Sequence, residues 1–525
     1  MHPQDFREPQ DVQALQAPQA PQAPHDPYGP HDPHGPWPNA VEPRHSRPWA
    51  ICVALLGALV SLAFLIGTTA VAGRPAGLDS ADRLLDAEDP THAPPPARAA
   101  GADSARGPGS GAPTEEGTWP SDRIDTRVFF RVQALADTRT AAFEQGDEAA
   151  FLASVDQRDR ALVDGQRRLF GNLRKIPFDT ARWVARGDKK VVTADGSAPS
   201  RAGTPAAWPV TISLNVAFEH TITGVDVARV PETYTWKARC ADPADRCTLI
   251  GLDGAADADV NGGFAGYPAA WDLWDLQVER RPHVVVMGPK QNASALRRNA
   301  DLAEQAAVYT LGAWKGGAGT SPGFALVLTS SRTSFGKLYS SSEIRDWAAG
   351  YALSMPGTDR FVGGVRMVVD DEQLAGDAAF APILLRHEMT HALIAPLARP
   401  GVAAAMPTWL VEGFADWQAE ADRPLAREIT TNIRTMIDRG RFTGALPVDE
   451  DFDTADEDRV ENAYNLAHLM VRYLARTYGA ERVCAFFTEA LTGRHTDIDE
   501  TLTASFGVSP DRLRADWAAW VRKTV

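Results

Sequence analysis

The sequence predicts an α+β multidomain chain: one N-terminal transmembrane helix, an α+β cone, then a unit with a mixed sheet and a helical C-terminal part. Three observations predict it. Trp49 to Gly73 runs 25 residues without a charge. Between residues 123 and 282, helical stripes give way to strictly alternating strands. From residue 283 short apolar strands alternate with helices, and beyond Glu412 only helical periodicity remains.

Residues 1–48 are rich in Pro, Gln and His, with repeats such as Gln-Ala-Pro and His-Asp-Pro. Such a segment cannot bury enough apolar surface to offset its chain entropy, so a disordered cytoplasmic tail is expected. Residues 49–73 would span about 37 Å as a helix, enough to cross a bilayer. Arg44 and Arg47 precede the run and Arg74 follows it, a bias that places the N-terminus inside and the bulk of the chain outside. A cleaved signal peptide is the rival, since Ala70-Val71-Ala72 has the form of a cleavage site. The length of the run and the 48 residues before it favour a retained signal-anchor, hence a single-pass protein of the cell membrane with an extracytoplasmic main part. Residues 74–122, rich in Ala, Pro, Gly and Asp, read as a flexible linker.

Net charge is −15, with no basic stripe, which excludes a nucleic-acid partner. Of the four cysteines, Cys240 and Cys247 flank a short polar loop. They are either a disulfide of an exported protein or two small buried residues; their spacing excludes a CxxC zinc pair.

Residues 123–282 begin with a stripe of Ile124, Val128, Val132 and Leu135 running on through Phe143. Gly146-Asp147 breaks it. A second helix starts at Phe151, and a third covers Arg158 to Lys175. Val210, Ile212, Leu214, Val216 and Phe218 then alternate, as do Tyr234, Trp236, Ala238 and Cys240, and finally Trp274, Leu276 and Val278. Helices followed by antiparallel strands look like an NTF2-like domain. The resemblance rests on element order and carries no motif, so a spacer or docking module without chemistry is expected.

In residues 283–525, Val284 to Met287 reads as a buried strand, Ala293 to Trp314 as a helix and Phe324 to Thr329 as a strand. A short helix over Phe335 to Ser341 and a strand over Phe361 to Val369 follow. Later helices cover Leu425 to Arg439 and Val460 to Tyr478, and two more close the chain. Asp449 to Asp458 is an acidic turn: it lacks the glycine and the later glutamate of a calcium-binding EF-hand loop.

The chemistry lies in His387-Glu388-Met389-Thr390-His391, an HExxH motif within an apolar helix that Pro396 stops. Positions i and i+4 share one helical face, so His387 and His391 can grip one Zn²⁺. Catalytic zinc takes three protein ligands and leaves a fourth position for water. Glu412, in Trp409-Leu410-Val411-Glu412-Gly413-Phe414-Ala415-Asp416, is the natural third, and Glu388 stands free to take a proton from that water.

The second segment resembles the Trp-Leu-x-Glu-Gly-x-Ala signature of gluzincin zinc metallopeptidases, of the peptidase MA-like and aminopeptidase types. The resemblance covers roughly residues 283–525 and implies a thermolysin-like catalytic domain acting on a peptide or protein substrate. It implies zinc held by His387, His391 and Glu412, with Glu388 as general base. Asp416, one turn after Glu412, would hold a zinc histidine. Tyr464, in Glu461-Asn462-Ala463-Tyr464, occupies the place of the aminopeptidase tyrosine that donates to the oxyanion, with His468 as runner-up. In that family an edge strand pairs with the bound peptide, and Phe361 to Val369 is the candidate here. No Gly-x-Met-Glu-Asn motif precedes the metal helix, which favours an endopeptidase. The alternative is a catalytically silent, membrane-tethered zinc- or ligand-binding protein of the cell envelope.

Overall fold

The structure, a computed structural model, describes residues 126–186, 208–242, 246–256, 263–340, 348–399, 405–493 and 497–525, with 260, 401 and 402. The expected tail (1–48), transmembrane segment (49–73) and linker (74–122) lie outside the described residues. Among the described residues the expected fold class needs correction in its membrane part: no helix is long and apolar enough to cross a membrane. The longest, Glu457–Tyr478, carries charged residues toward both ends, at Glu457, Asp458, Arg459 and Glu461 and again at Arg472 and Arg476. What the described chain shows is an α+β architecture with two sheets and fifteen α-helices.

The first layer is made by α1 (Thr126–Gln145), α2 (Glu148–Ala153) and α3 (Arg160–Leu173). Asp147 and Asp159 cap α2 and α3 by accepting from the Ala150 and Leu162 amides. These helices pack on a four-stranded antiparallel sheet in sequence order, β1 (Phe178–Ala185), β2 (Val210–Ile222), β3 (Val230–Cys240) and β4 (Cys247–Gly254). Cys240 and Cys247 face each other in register and form a disulfide.

After α4 (Ala270–Leu273), a second sheet runs in the order β5 (Leu276–Arg280), β6 (Val284–Pro289), β7 (Phe324–Thr329), β9 (Gly364–Asp370) and β8 (Gly350–Met355). β6, β7 and β9 are parallel to one another; β5 and β8 are antiparallel to their neighbours. Residues 276–280, which sequence alternation groups with the upstream strands, thus belong to the second sheet. The candidate substrate strand also needs correction. β9 has β7 on one side and β8 on the other, so both its edges are occupied, and the outermost strand at that end is β8.

Helices complete the second unit: α5 (Ala293–Ala313), α6 (Arg332–Lys337), α7 (Asp371–Gly376), α8 (Ala381–Ile394), α9 (Thr408–Ala419), α10 (Arg427–Asp438), α11 (Asp449–Phe452), α12 (Glu457–Tyr478), α13 (Ala480–Thr492), α14 (Ile498–Phe506) and α15 (Pro510–Thr524). The acidic segment at 449 therefore opens with a helical turn.

α9 and α12 approach closely because Gly413 lacks a side chain: a Cβ there would lie 2.5 Å from the Ala467 carbonyl oxygen. Alanine gains about 1 kcal/mol over glycine in helix propensity. An overpacked contact costs about 1–3 kcal/mol, and here the obstacle is backbone, which cannot swing away. Gly413→Ala is therefore expected to lower the denaturation midpoint, measured by chemical unfolding.

The two sheets are joined by the turns at their hairpin ends. Val227 and Ala228 amides donate to the Gly363 carbonyl at 2.8 and 3.0 Å, and the Thr358 amide donates to the Arg229 carbonyl at 2.9 Å. Arg366 on β9 is fully buried and donates to both Asp226 oxygens, at 2.6 and 2.9 Å, while its Nη2 lies 3.2 Å from His220 Nε2. Gly364 makes room for that pair, since a Cβ at this position would overlap Asp226 Oδ1.

Candidate metal centre

α8 starts with Pro382 in its first turn and ends in the 3-10 turn Ala395–Leu397, where Pro396 stops it. Within it, His387, Glu388 and His391 are all buried. α9 is buried over its whole length and brings in Glu412 and Asp416 one turn apart. Arg386 ties the two helices together: its guanidinium sits 3.6 Å from the Tyr309 ring centre and donates to the Ala419 carbonyl.

The three ligand atoms converge. His387 Nε2 and His391 Nε2 lie 3.1 Å apart, and Glu412 Oε2 lies 3.3 Å from the first and 3.7 Å from the second. A tetrahedral ion bound at about 2.05 Å would space its ligands by about 3.3 Å. The donor set and the triangle both fit zinc. The chemistry of the neighbours agrees: neither Glu412 oxygen takes a hydrogen bond although both are buried, a costly state that a cation relieves. Asp416 Oδ1 lies 2.7 Å from His387 Nδ1. A proton on Nδ1 then leaves the Nε2 lone pair directed at the triangle.

Electrostatics sharpen this arrangement. Burial alone would lower the His387 imidazole, but Asp416 and Glu412 overcome it and hold it well above its usual value. Burial lowers His391. Burial works to raise Glu412, yet the two histidines pull it down to about 2. Glu388 has no hydrogen-bond partner on either oxygen, and burial pushes it up to about 8. Its carboxylate lies against β8, where a Cβ on Gly350 would stand 3.2 Å from Oε1.

Of the two sequence candidates for the oxyanion donor, both buried on α12, Tyr464 packs its ring edge-on against Phe452 of α11 with centroids 5.1 Å apart, and His468 Nε2 lies 3.4 Å from Arg472 Nη1. Sequence reasoning missed two participants. Gly350 sits in a short apolar run without alternation, so nothing marked β8. Glu420, one turn beyond Asp416, is buried with an unpartnered oxygen and is pushed by burial up to about 7. The i, i+4 spacing of Glu412, Asp416 and Glu420 was the signal that could have found it.

A family model described as the Peptidase MA superfamily matches residues 375–523, the stretch that carries α8, α9 and α12. The match supports a peptidase of the MA clan. No curated protein matches the chain.

Proposed function

We propose that the chain is a zinc-dependent metallopeptidase that hydrolyses peptide bonds as an endopeptidase. The observation that carries this reading is the convergence of His387, His391 and Glu412 around one point, with Glu388 unpartnered beside it. Zinc held there would polarise the scissile carbonyl and bring the attacking water into its reactive range near neutral pH. Glu388 takes the water's proton on a carboxylate oxygen and returns it to the leaving amine nitrogen. Asp416 holds His387 in the tautomer that leaves Nε2 available. The helices around the site exclude bulk water, which strengthens each of these charge interactions.

Tyr464 is assigned the donor to the oxyanion of the tetrahedral intermediate. Tyr464→Phe keeps the ring against Phe452 and removes only the hydroxyl. It is expected to lower kcat by about 10²–10³ with little change in KM. Steady-state kinetics on one cleaved peptide decides this.

The disulfide between Cys240 and Cys247 favours an oxidising compartment, so we place the catalytic part outside the cytoplasm. The endopeptidase assignment rests on the missing amine-binding motif ahead of α8.

The reading is tested by incubating the full chain with a mixed peptide library, alone, after treatment with a zinc chelator, and after zinc is restored. Cleavage that is lost and regained with the metal, at internal bonds, supports it. Bound zinc with no cleavage of any peptide overturns it in favour of a silent zinc-binding protein.

A further inference from the structure

The chain passes from the first sheet to the second through α4, and two acids help to hold that passage. Asn172 of α3 grips its backbone: Nδ2 donates to the Trp271 and Trp274 carbonyls at 2.9 and 2.6 Å, and Oδ1 accepts from the Leu276 amide at 2.9 Å. Glu232 of β3 is buried, Asp272 of α4 is partly buried, and the two carboxyls draw on the same donors. The Ala269 amide reaches Glu232 Oε1 at 3.1 Å and Asp272 Oδ2 at 2.9 Å. The Tyr234 hydroxyl oxygen lies 2.9 Å from Glu232 Oε2 and 3.0 Å from Asp272 Oδ1. Trp271 Nε1 donates to Glu232 Oε2 at 2.7 Å.

A phenol carries one hydrogen. Between two ionised carboxylates it can donate to one, and its lone pairs then face the other at hydrogen-bond distance. A second hydrogen, on a carboxyl, removes that repulsion. The cations that face the pair are engaged elsewhere: Arg168 of α3 donates Nη2 to the Asp272 carbonyl, and Arg366 of β9 is held by Asp226. Tyr267, which Asp253 of β4 also faces, packs on the Tyr234 ring, and Tyr339 approaches from the 3-10 turn Leu338–Ser340. Burial raises both phenols, so neither supplies a charge. His220 of β2, edge-on to Trp271, is brought down to about 3 by burial and is neutral too. Burial, and then the neighbouring acid, pushes Glu232 well above its usual value, and burial raises Asp272.

We propose that Glu232 and Asp272 share one proton and form a latch that closes α4 onto β3. With the proton in place the passage between the two sheets is held; its loss to solvent sets two negative charges against each other and frees α4. The proton belongs to the pair and not to either residue. An opened α4 returns both carboxyls to water, where they ionise, so opening releases the proton and becomes easier as pH rises. One released proton changes the opening equilibrium by about 10-fold per pH unit between the ordinary carboxyl range and the raised one.

Hydrogen exchange of the full chain from pH 5 to 9, corrected for intrinsic exchange and read on residues 265–276, measures that equilibrium. Glu232→Gln keeps the shape, has no proton to lose, and gives the remaining Asp272 carboxylate an amide donor. The ratio of wild-type to Glu232→Gln opening is expected to rise with pH by up to about 10-fold per unit and then level off. Asp272→Asn removes the other charge and is expected to give the same trend. In the wild type alone, opening of 265–276 should rise with pH faster than that of residues 513–521 on α15. Ratios that stay flat with pH overturn the proposal whatever their size, since a constant offset is what altered packing alone would give. Equal pH dependence of the two wild-type segments overturns it as well.

Discussion

Glu388→Gln is expected to bind zinc with wild-type affinity and to lose turnover by about 10²–10⁴-fold or more. The amide replaces the carboxylate atom for atom, and no hydrogen bond has to be broken to admit it, because both oxygens lack partners. Only the proton-accepting capacity is removed. Zinc affinity by chelator competition and kcat on one peptide measure the two halves; a variant that keeps more than about a tenth of wild-type turnover would exclude Glu388 as the base. The same substitution has a stability signature in the metal-free chain. Glu388 is raised from 4.5 to about 8 in the folded protein, so the folded state binds this proton more tightly than the unfolded state. Its stabilising contribution is complete below pH 4.5 and is lost as pH rises through 8. Melting temperatures of chelator-treated protein between pH 5 and 8 should therefore fall more steeply for wild type than for Glu388→Gln. Other groups titrate in both proteins, and the difference between the two curves isolates this one.

Arg366→Met is expected to be the most destabilising single change away from the metal site. Arg366 and Asp226 are both fully buried and meet through two short hydrogen bonds. Removing the guanidinium leaves a buried carboxylate with the Ile222 amide, at 2.8 Å, in place of an ion-pair partner, at a cost of about 3–5 kcal/mol. The double variant Arg366→Met with Asp226→Asn should be more stable than Arg366→Met alone, because the stranded charge is gone. Chemical denaturation of the three proteins decides it, and equal midpoints for wild type and Arg366→Met would refute the prediction. The consequence would reach catalysis: Arg366 lies on β9, its register partner is Leu353 of β8, and β8 also carries Gly350 against Glu388.

Local periodicity carried much of the architecture. The alternation of Val210 to Phe218 and of Tyr234 to Cys240 marks β2 and β3, and the HExxH spacing marks a helical face, because in each the informative residues lie within a few positions of one another. Those chemical choices were legible for the same reason: two histidines one turn apart, with a glutamate between, have few other uses. Which strand occupies which place was not legible. β5 reads like its upstream neighbours yet pairs with β6, and β9 is flanked on both sides because β8, whose short run has no alternation, inserts at the edge.

The sequence by itself determined the helix that presents His387, Glu388 and His391, and the identity of the residues able to complete a zinc site. Only the tertiary structure decided that Glu412 reaches the histidines and that Asp416 meets His387 at 2.7 Å. It alone paired Arg366 with Asp226, 140 positions earlier in the chain. The physical reason is that periodicity reports which face of an element is buried, whereas the partner on that face is chosen by packing between segments far apart in the chain.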